Sequence, residues 1–306
     1  MRKQIIILPV LLGIVSVSSA LDSGGSFLKI DSAARAASMG AAYTALASGV
    51  EAIAYNPAGL TRTEGAEVAF SHTNWIMDSR HDYIGVAFPL KASGSGHPMH
   101  NWVAGLGIVR LTNSSIEVRN VDRSNSGSFT SYDQAVSIGL GRVVAGNRLG
   151  LGFKYLESYI AGERARGLAI DLGFSRALRT RLPMTVGLAV QNLGRGMKFM
   201  EQRDHLPLSF AAGLSVSVIP GVNLAFDAKR LVYDKQTTIS FGTEYAILSG
   251  LALRSGYLAN ASNGNTKNNG FSAGLGINLW DASMDYAVTP YGELGNTQKV
   301  TLKKRF

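Results

Sequence analysis

The chain contains no cysteine. This excludes disulfide frameworks and thiol nucleophiles, and it removes the commonest ligands of structural zinc. Charge is also scarce, at 17% Asp, Glu, Lys and Arg. Beyond the first 20 residues no apolar run reaches about 18 residues, so no later segment has the makings of a membrane-crossing helix. Dinucleotide chemistry finds no support. Gly105-Leu106-Gly107 and Gly139-Leu140-Gly141 lack the strand–turn–helix setting such a site needs, and they read as strand glycines. His97-Pro98-Met99-His100 has no neighbouring carboxylate to complete a metal site. His72 and His205 have no assignable serine partner, so a hydrolytic triad is unsupported. No enzyme, metal site or cofactor is expected.

What is present begins with an export signal. Arg2 and Lys3 precede an apolar stretch from Ile5 to Val17, and Ser18-Ser19-Ala20 offers a small-residue cleavage site. Cleavage there leaves 286 residues with 28 basic and 21 acidic side chains, a net charge of +7. The excess is spread along the chain. It suits lipid headgroups or a polar lumen, and a nucleic-acid partner is not expected.

From about residue 64 the hydrophobic period is two. Leu149, Leu151, Phe153 and Tyr155 alternate with Gly150, Gly152 and Lys154. Leu208 to Val218 alternates with Ser209, Ala211, Gly213, Ser215 and Ser217. One face is apolar and the other small or polar for about ten residues at a time, the signature of a transmembrane β-barrel. Such segments fall near 66–75, 81–90, 101–112, 132–144, 147–157, 166–176, 184–192, 207–218, 222–232, 236–246, 250–259, 270–279, 282–289 and 297–306. Fourteen is an even number, as single-chain bacterial barrels require. The links alternate too. Ala145-Gly146, Pro220-Gly221 and Trp280-Asp281 are tiny, whereas 113–131, 193–206 and 260–269 are long and polar. A β-sandwich fits less well, because the polar faces are built of Gly, Ala and Ser and not of solvated charges.

Lys154, Asp171, Asp227, Lys229, Glu244, Arg254 and Asp285 all fall on the small, polar face. Basic groups on the lipid face would cost about 2–4 kcal/mol each near the midplane, so this face is the lumen. These charges are read either as a salt-bridged wall that holds a plug or as a polar path. Trp75, Trp102, Trp280, Tyr83, Tyr155, Tyr245, Tyr257, Tyr286 and Tyr291 lie toward strand ends and suit interfacial girdles. The last residue, Phe306, continues an alternation through Val300, Leu302 and Lys304. It is expected to close the barrel and mark it for insertion, since an open edge is not tolerated in lipid.

Residues 21–63 lack alternation and are Ala-rich. Ser32 to Ala47 is a plausible helix, capped by Asp31 or Ser32 and ended by Gly49, followed by a turn at Asn56-Pro57-Ala58-Gly59-Leu60. The block Ala34-Arg35-Ala36-Ala37-Ser38-Met39-Gly40-Ala41-Ala42-Tyr43-Thr44-Ala45-Leu46-Ala47, followed by Ala54-Tyr55-Asn56-Pro57-Ala58-Gly59-Leu60, resembles the amino-terminal signature of the PorV/PorQ family of FadL-like barrels. Val190-Gln191-Asn192-Leu193-Gly194, the Leu206-Pro207-Leu208 strand entry and the terminal Phe306 extend the resemblance along the mature chain.

That resemblance implies a division into a signal peptide (1–20), an N-terminal hatch in the lumen (21–63) and an all-β, 14-stranded outer-membrane barrel (64–306). Arg35, Asn56, Pro57 and Ala58 would belong to the hatch, with Asn56 bonded to the wall. It also implies type IX-like protein secretion or surface attachment through partner proteins. The FadL-like relatives imply instead a channel for a hydrophobic small molecule, which leaves sideways past the hatch and a kinked strand. A structural or adhesive barrel is the third reading. All three place the chain among outer-membrane lipids.

Overall fold

The computed structural model describes residues 23–90, 102–114, 116–122, 124–199, 201–248, 250–260 and 270–306. The proposed signal peptide and His97-Pro98-Met99-His100 lie outside them. Fourteen strands form one closed antiparallel barrel. In chain order they are β1 Glu67–Asn74, β2 Arg80–Pro89, β3 Trp102–Thr112, β4 Ser131–Val144, β5 Asn147–Ile160, β6 Glu163–Leu178 and β7 Met184–Leu193. The second half comprises β8 Ser209–Ile219, β9 Val222–Leu231, β10 Gln236–Leu248, β11 Leu251–Asn260, β12 Gly270–Leu279, β13 Ala282–Pro290 and β14 Asn296–Arg305. Each strand pairs with its chain neighbours, and β1 pairs with β14 from Glu67↔Arg305 to Asn74↔Gln298. Phe306 lies one residue past β14, yet its amide still donates to the Ala66 carbonyl at 2.8 Å, so the seam is bonded to the chain end.

Alternation sets the two faces. Outward positions carry large exposed apolar groups on every strand, from Phe70 on β1 through Phe153 on β5 and Phe241 on β10 to Leu302 on β14. Closure leaves no unpaired backbone edge, so the wall satisfies the condition for a β-structure in hydrocarbon. At one end several links are tight, although 90–101 and 179–183 there are longer. Ala145 and Gly146 have φ of 49° and 77°, the paired positive values of a two-residue hairpin turn. At the other end lie longer links, two of which contain hairpins: Ile116–Arg119 with Asn125–Phe129, and Met197–Phe199 with Gln202–Asp204. The link 161–162 is short although it lies at the long-loop end. Here β5 and β6 run to 14 and 16 residues, longer than the alternation suggests, and absorb the loop.

Residues 23–63 thread the lumen. Ser23 is bonded to Asp234 in the β9–β10 link at the long-loop end, and the segment leaves beside Phe306 at the other end. The expected helix from Ser32 to Ala47 is not formed. Only Ala34–Ser38 and, further on, Ala52–Tyr55 are α-helical, joined by turns and three-residue-per-turn pieces at Ser26–Lys29, Gly49–Glu51 and Pro57–Arg62. Neither Asp31 nor Ser32 caps a helix. The N-cap is Ala33, and the Ser32 and Ala33 amides both donate to Tyr55 Oη, at 2.9 and 3.0 Å.

The wall explains the broken helix. The amides of Ala34, Gly40 and Val50 donate to Thr301 Oγ1, Ser272 Oγ and Glu67 Oε1 at 2.8, 2.9 and 3.1 Å. Barrel side chains thus satisfy backbone groups that a helix would satisfy internally. Close approach needs glycine in the wall. A Cβ on Gly256 would collide with the Met39–Gly40 backbone, and one on Gly150 with Pro57–Ala58. Tyr83 departs from the girdle reading. It faces inward at 2% exposure and donates to the Val50 carbonyl at 2.8 Å. Trp280, 98% exposed on a short turn, and the exposed Tyr155, Tyr245 and Tyr257 face outward.

Candidate functional site

The plug meets the wall through three polar junctions and one apolar contact, and a fourth polar cluster lies in the wall beside them. The first is a charge ladder. Arg35 of the plug donates Nε and Nη2 to the two carboxylate oxygens of Glu244 on β10, both at 2.8 Å. Glu244 also accepts Arg254 Nε at 2.6 Å, and Arg254 Nη1 reaches Asp285 Oδ1 at 2.6 Å. Burial disfavours the Arg35 charge, but the Glu244 carboxylate outweighs it and holds the guanidinium protonated. The ladder lines a polar vestibule of about 370 Å³ at the short-turn end, together with Glu67, Trp280, Asp281, Lys303 and Arg305. The buried Glu51 stands behind it. Burial raises its carboxyl above the usual range, and Tyr43 Oη donates to its Oε2 at 3.1 Å.

The second junction is Asp227 on β9, whose Oδ2 accepts the amides of Tyr43 and Thr44 at 2.9 and 2.7 Å. The third is the Asn-Pro-Ala turn. Asn56 caps the Pro57–Arg62 turn by accepting the Ala58 amide at 3.2 Å, while its Nδ2 donates to the carbonyls of Thr44 (2.9 Å) and of Phe174 on β6 (3.1 Å). Pro57 supplies the fixed φ that starts this turn. Pro57 and Ala58 press against Gly150 and Gly173. One amide side chain therefore ties the turn to its own segment and to the wall.

The fourth is a defect in the wall itself. The register of β6 with β7 shifts between Ile170 and Leu172, and Asn192 adopts φ 61°. The extra residue is held by Asp171, which accepts the Asn192 amide at 2.8 Å and the Lys154 ammonium at 2.7 Å. Lys154 also donates to Asn192 Oδ1 at 2.8 Å, and Asn192 Nδ2 donates to the Pro207 carbonyl at 3.1 Å. All three side chains are buried. Such bulges redirect a strand locally. Lys229, further up the lumen, reaches Gln191 Oε1 at 3.4 Å and lines a cavity of about 50 Å³ with Asp31, Tyr55 and Asp227.

At the long-loop mouth the plug is apolar. Phe27, 1% exposed, joins Leu156, Ala165, Ala169, Met197 and Leu206 in one buried cluster. Asp234 ties down the residues around it. It accepts the Ser23 amide at 2.8 Å and pairs with Lys29 at 2.9 Å. Burial opposes the Asp234 charge, but those partners hold its carboxyl below the usual range. The benzyl group of Phe27 therefore fills the apolar space at this entrance.

The structure thus gathers Arg35, Glu244, Arg254 and Asp285 into one ladder and Lys154 with Asp171 into the bulge. Asp227, Lys229 and Asn56 contact the plug or its margins separately. Sequence reasoning missed Phe27, Glu51, Asn192 and Lys299; the last donates to the Asp31 carbonyl and to Thr73 Oγ1. Lys299 was findable, since it shares the inward parity of Thr301 on β14. Phe27 was not, because the segment around it has no period. Among the described residues no group of three His, Asp or Glu side chains converges on a metal-sized site.

A closed wall of 14 strands with an N-terminal segment packed through its lumen defines a plugged barrel of the FadL-like fold. Residues 24–147, the plug and the first four strands, match the model of an uncharacterised protein family, UPF0164. Comparison with curated proteins found no match. Among solved structures, the Pseudomonas putida toluene transporter TodX superposes with a TM-score of 0.65 at 13% identity, covering 90% of this chain and 96% of that one. The Ralstonia pickettii toluene transporter TbuX gives 0.65 at 12% identity, covering 90% and 99%. A Pseudomonas aeruginosa FadL homologue gives 0.59 at 9% identity, covering 89% and 97%.

Proposed function

We propose that the chain is an outer-membrane channel for a small hydrophobic solute, with residues 23–63 as its gate. The single observation that carries this reading is the way the lumen is closed. The apolar entrance is filled by Phe27, and the rest by a segment held through side-chain hydrogen bonds, the Lys29–Asp234 pair and one ion-pair ladder. No covalent link fixes the gate, so a solute that competes for the Phe27 pocket shifts the segment by its differential affinity for the displaced state. The apolar outer face, the closed edge and the expected export signal favour the outer membrane. Two barrels of the same architecture are toluene transporters, which fits a solute of about the size of the Phe27 side chain.

A second reading, docking of partner proteins in type IX-like secretion or attachment as in the PorV/PorQ family, rests on the hairpin Ile116–Arg119 with Asn125–Phe129. It stands outside the barrel wall with Val118 and Val121 exposed, and a free hairpin edge can template another chain. Co-purification from native membranes tests it; retained lipid without any secreted or attachment protein counts against it.

The channel reading is tested by deleting residues 21–63 and recording single-channel conductance in planar bilayers, alongside toluene uptake into cells. Deletion is expected to turn a closed barrel into a conducting one. Unchanged conductance refutes the gate, and full-length protein that never raises toluene uptake refutes the solute class.

A further inference from the structure

Outward-facing charge is distributed unevenly around the wall. From β8 to β13 one charged side chain, Arg230, faces outward among the described residues, whereas β2 to β6 present Arg80, Asp82, Arg110, Arg142, Glu157, Arg164, Arg166 and Arg176. The pairing register lines several of these up. Asp82 lies opposite Arg110, Arg110 opposite Gln134, Gln134 opposite Glu157 and Glu157 opposite Arg166. One row nearer the long loops, Tyr132 lies opposite Tyr159 and Tyr159 opposite Arg164.

The side chains assemble into a platform. The Tyr132 and Tyr159 rings stack with centroids 5.3 Å apart and an interplanar angle of 26°. The Arg110 guanidinium lies 4.4 Å from the Tyr132 centroid, and Arg164 lies 5.4 Å from that of Tyr159. Two aromatic faces are thus bracketed by two cations across four adjacent strands. Glu157 braces the arrangement by accepting Tyr132 Oη at 3.0 Å and pairing with Arg166 at 3.4 Å. It thereby offsets Arg166. Arg110 and Arg164 form no salt bridge among the described residues; with Asp82 opposite Arg110 and Glu157 beside Arg164 and Arg166, three arginines face two carboxylates and the platform keeps a net positive charge.

We propose that this platform binds the phosphate headgroup of an anionic membrane lipid. Position and charge both favour that occupant. Directly toward the short turns the same outer faces carry Ile138, Phe153 and Leu168, all exposed and apolar, where acyl chains lie against the wall. Guanidiniums donate in a planar fork that matches phosphate oxygens, and rings at headgroup level hold them in position. A protein partner would instead bury the apolar faces beside the arginines, which stay exposed at Ile138, Phe153 and Leu168.

The test uses the full chain in lipid nanodiscs and micelles, with native mass spectrometry of phosphatidylglycerol and phosphatidylcholine retention. Removing both charges in R110Q/R164Q is expected to weaken phosphatidylglycerol binding about 30-fold, from roughly a fivefold step per arginine near a membrane surface. The charge-keeping R110K/R164K retains most of the binding, and R230Q on the opposite wall leaves it unchanged. The proposal is overturned if R110Q/R164Q binds like the wild type, or if R230Q weakens binding equally. It is also overturned if phosphatidylcholine binds as tightly as phosphatidylglycerol, or if the double variant loses a protein partner with no change in lipid.

Discussion

Arg35→Ala is the sharpest test of the gate, because its partner Glu244 keeps a second cation, Arg254, without it. The substitution removes two charge-assisted hydrogen bonds to Glu244, each 2.8 Å long, at a site where the Arg35 side chain is 20% exposed. Such bonds contribute about 1.5–3 kcal/mol each when well shielded. Partial solvation and the second cation reduce this, since Glu244 keeps Arg254 at 2.6 Å and no buried charge is stranded. We expect a net weakening of plug docking of about 2–4 kcal/mol, or roughly 30- to 700-fold in the open-to-closed ratio. Single-channel recording should therefore show opening events in R35A that are rare in the wild type, with the barrel still resistant to unfolding in detergent. Glu244→Gln is the contrasting case. It leaves Arg35 and Arg254 facing Asp285 alone, and should destabilise the folded wall by about 3–5 kcal/mol. If R35A gates like the wild type while the 21–63 deletion conducts, the ladder is not the latch. If R35A unfolds as readily as E244Q, the plug and wall are one cooperative unit and the gating argument fails.

Two further outcomes follow from the same geometry. Asp171→Asn alone strands the buried Lys154 ammonium and should cost about 3–5 kcal/mol, whereas D171N/K154M should recover most of it; urea titration in lipid vesicles measures both, and equal stabilities would remove the charge pair as the holder of the bulge. Gly256→Ala inserts a methyl into the Met39–Gly40 backbone. It should leave the barrel folded while raising hydrogen exchange across residues 34–47, and unchanged exchange would mean that the plug does not rest on that wall.

The wall was legible before the structure because alternation with period two reports directly which face is buried. Strand number, seam and the inward parity of Lys154, Asp227, Glu244 and Arg254 all follow from it. The ends of β5 and β6 were not, because residues such as Ser158, Glu163 and Arg164 are too polar to register as strand although the pairing carries through them. The plug was misread for a related reason. Ala-rich composition favours a helix wherever backbone groups must satisfy themselves, but Thr301, Ser272, Asp227 and Glu67 offer partners from strands distant in sequence. No local pattern encodes a partner 267 residues away. Asn192 fell in a recognisable motif, yet its role as the pivot of a bulge depends on Lys154 and Asp171 arriving from two other strands.

The seam between β1 and β14 has a consequence for biogenesis. Glu67 and Arg305 face each other across almost the whole barrel sequence, so their pairing carries the largest loop-closure entropy of any strand pairing in the wall. The segment before β1 is bonded to β9, β10, β12 and β14 inside the closed wall, and Gly150 and Gly256 leave no clearance beside it. A wall that closes on this register closes around residues 23–63, with the β1–β14 pairing as the clasp.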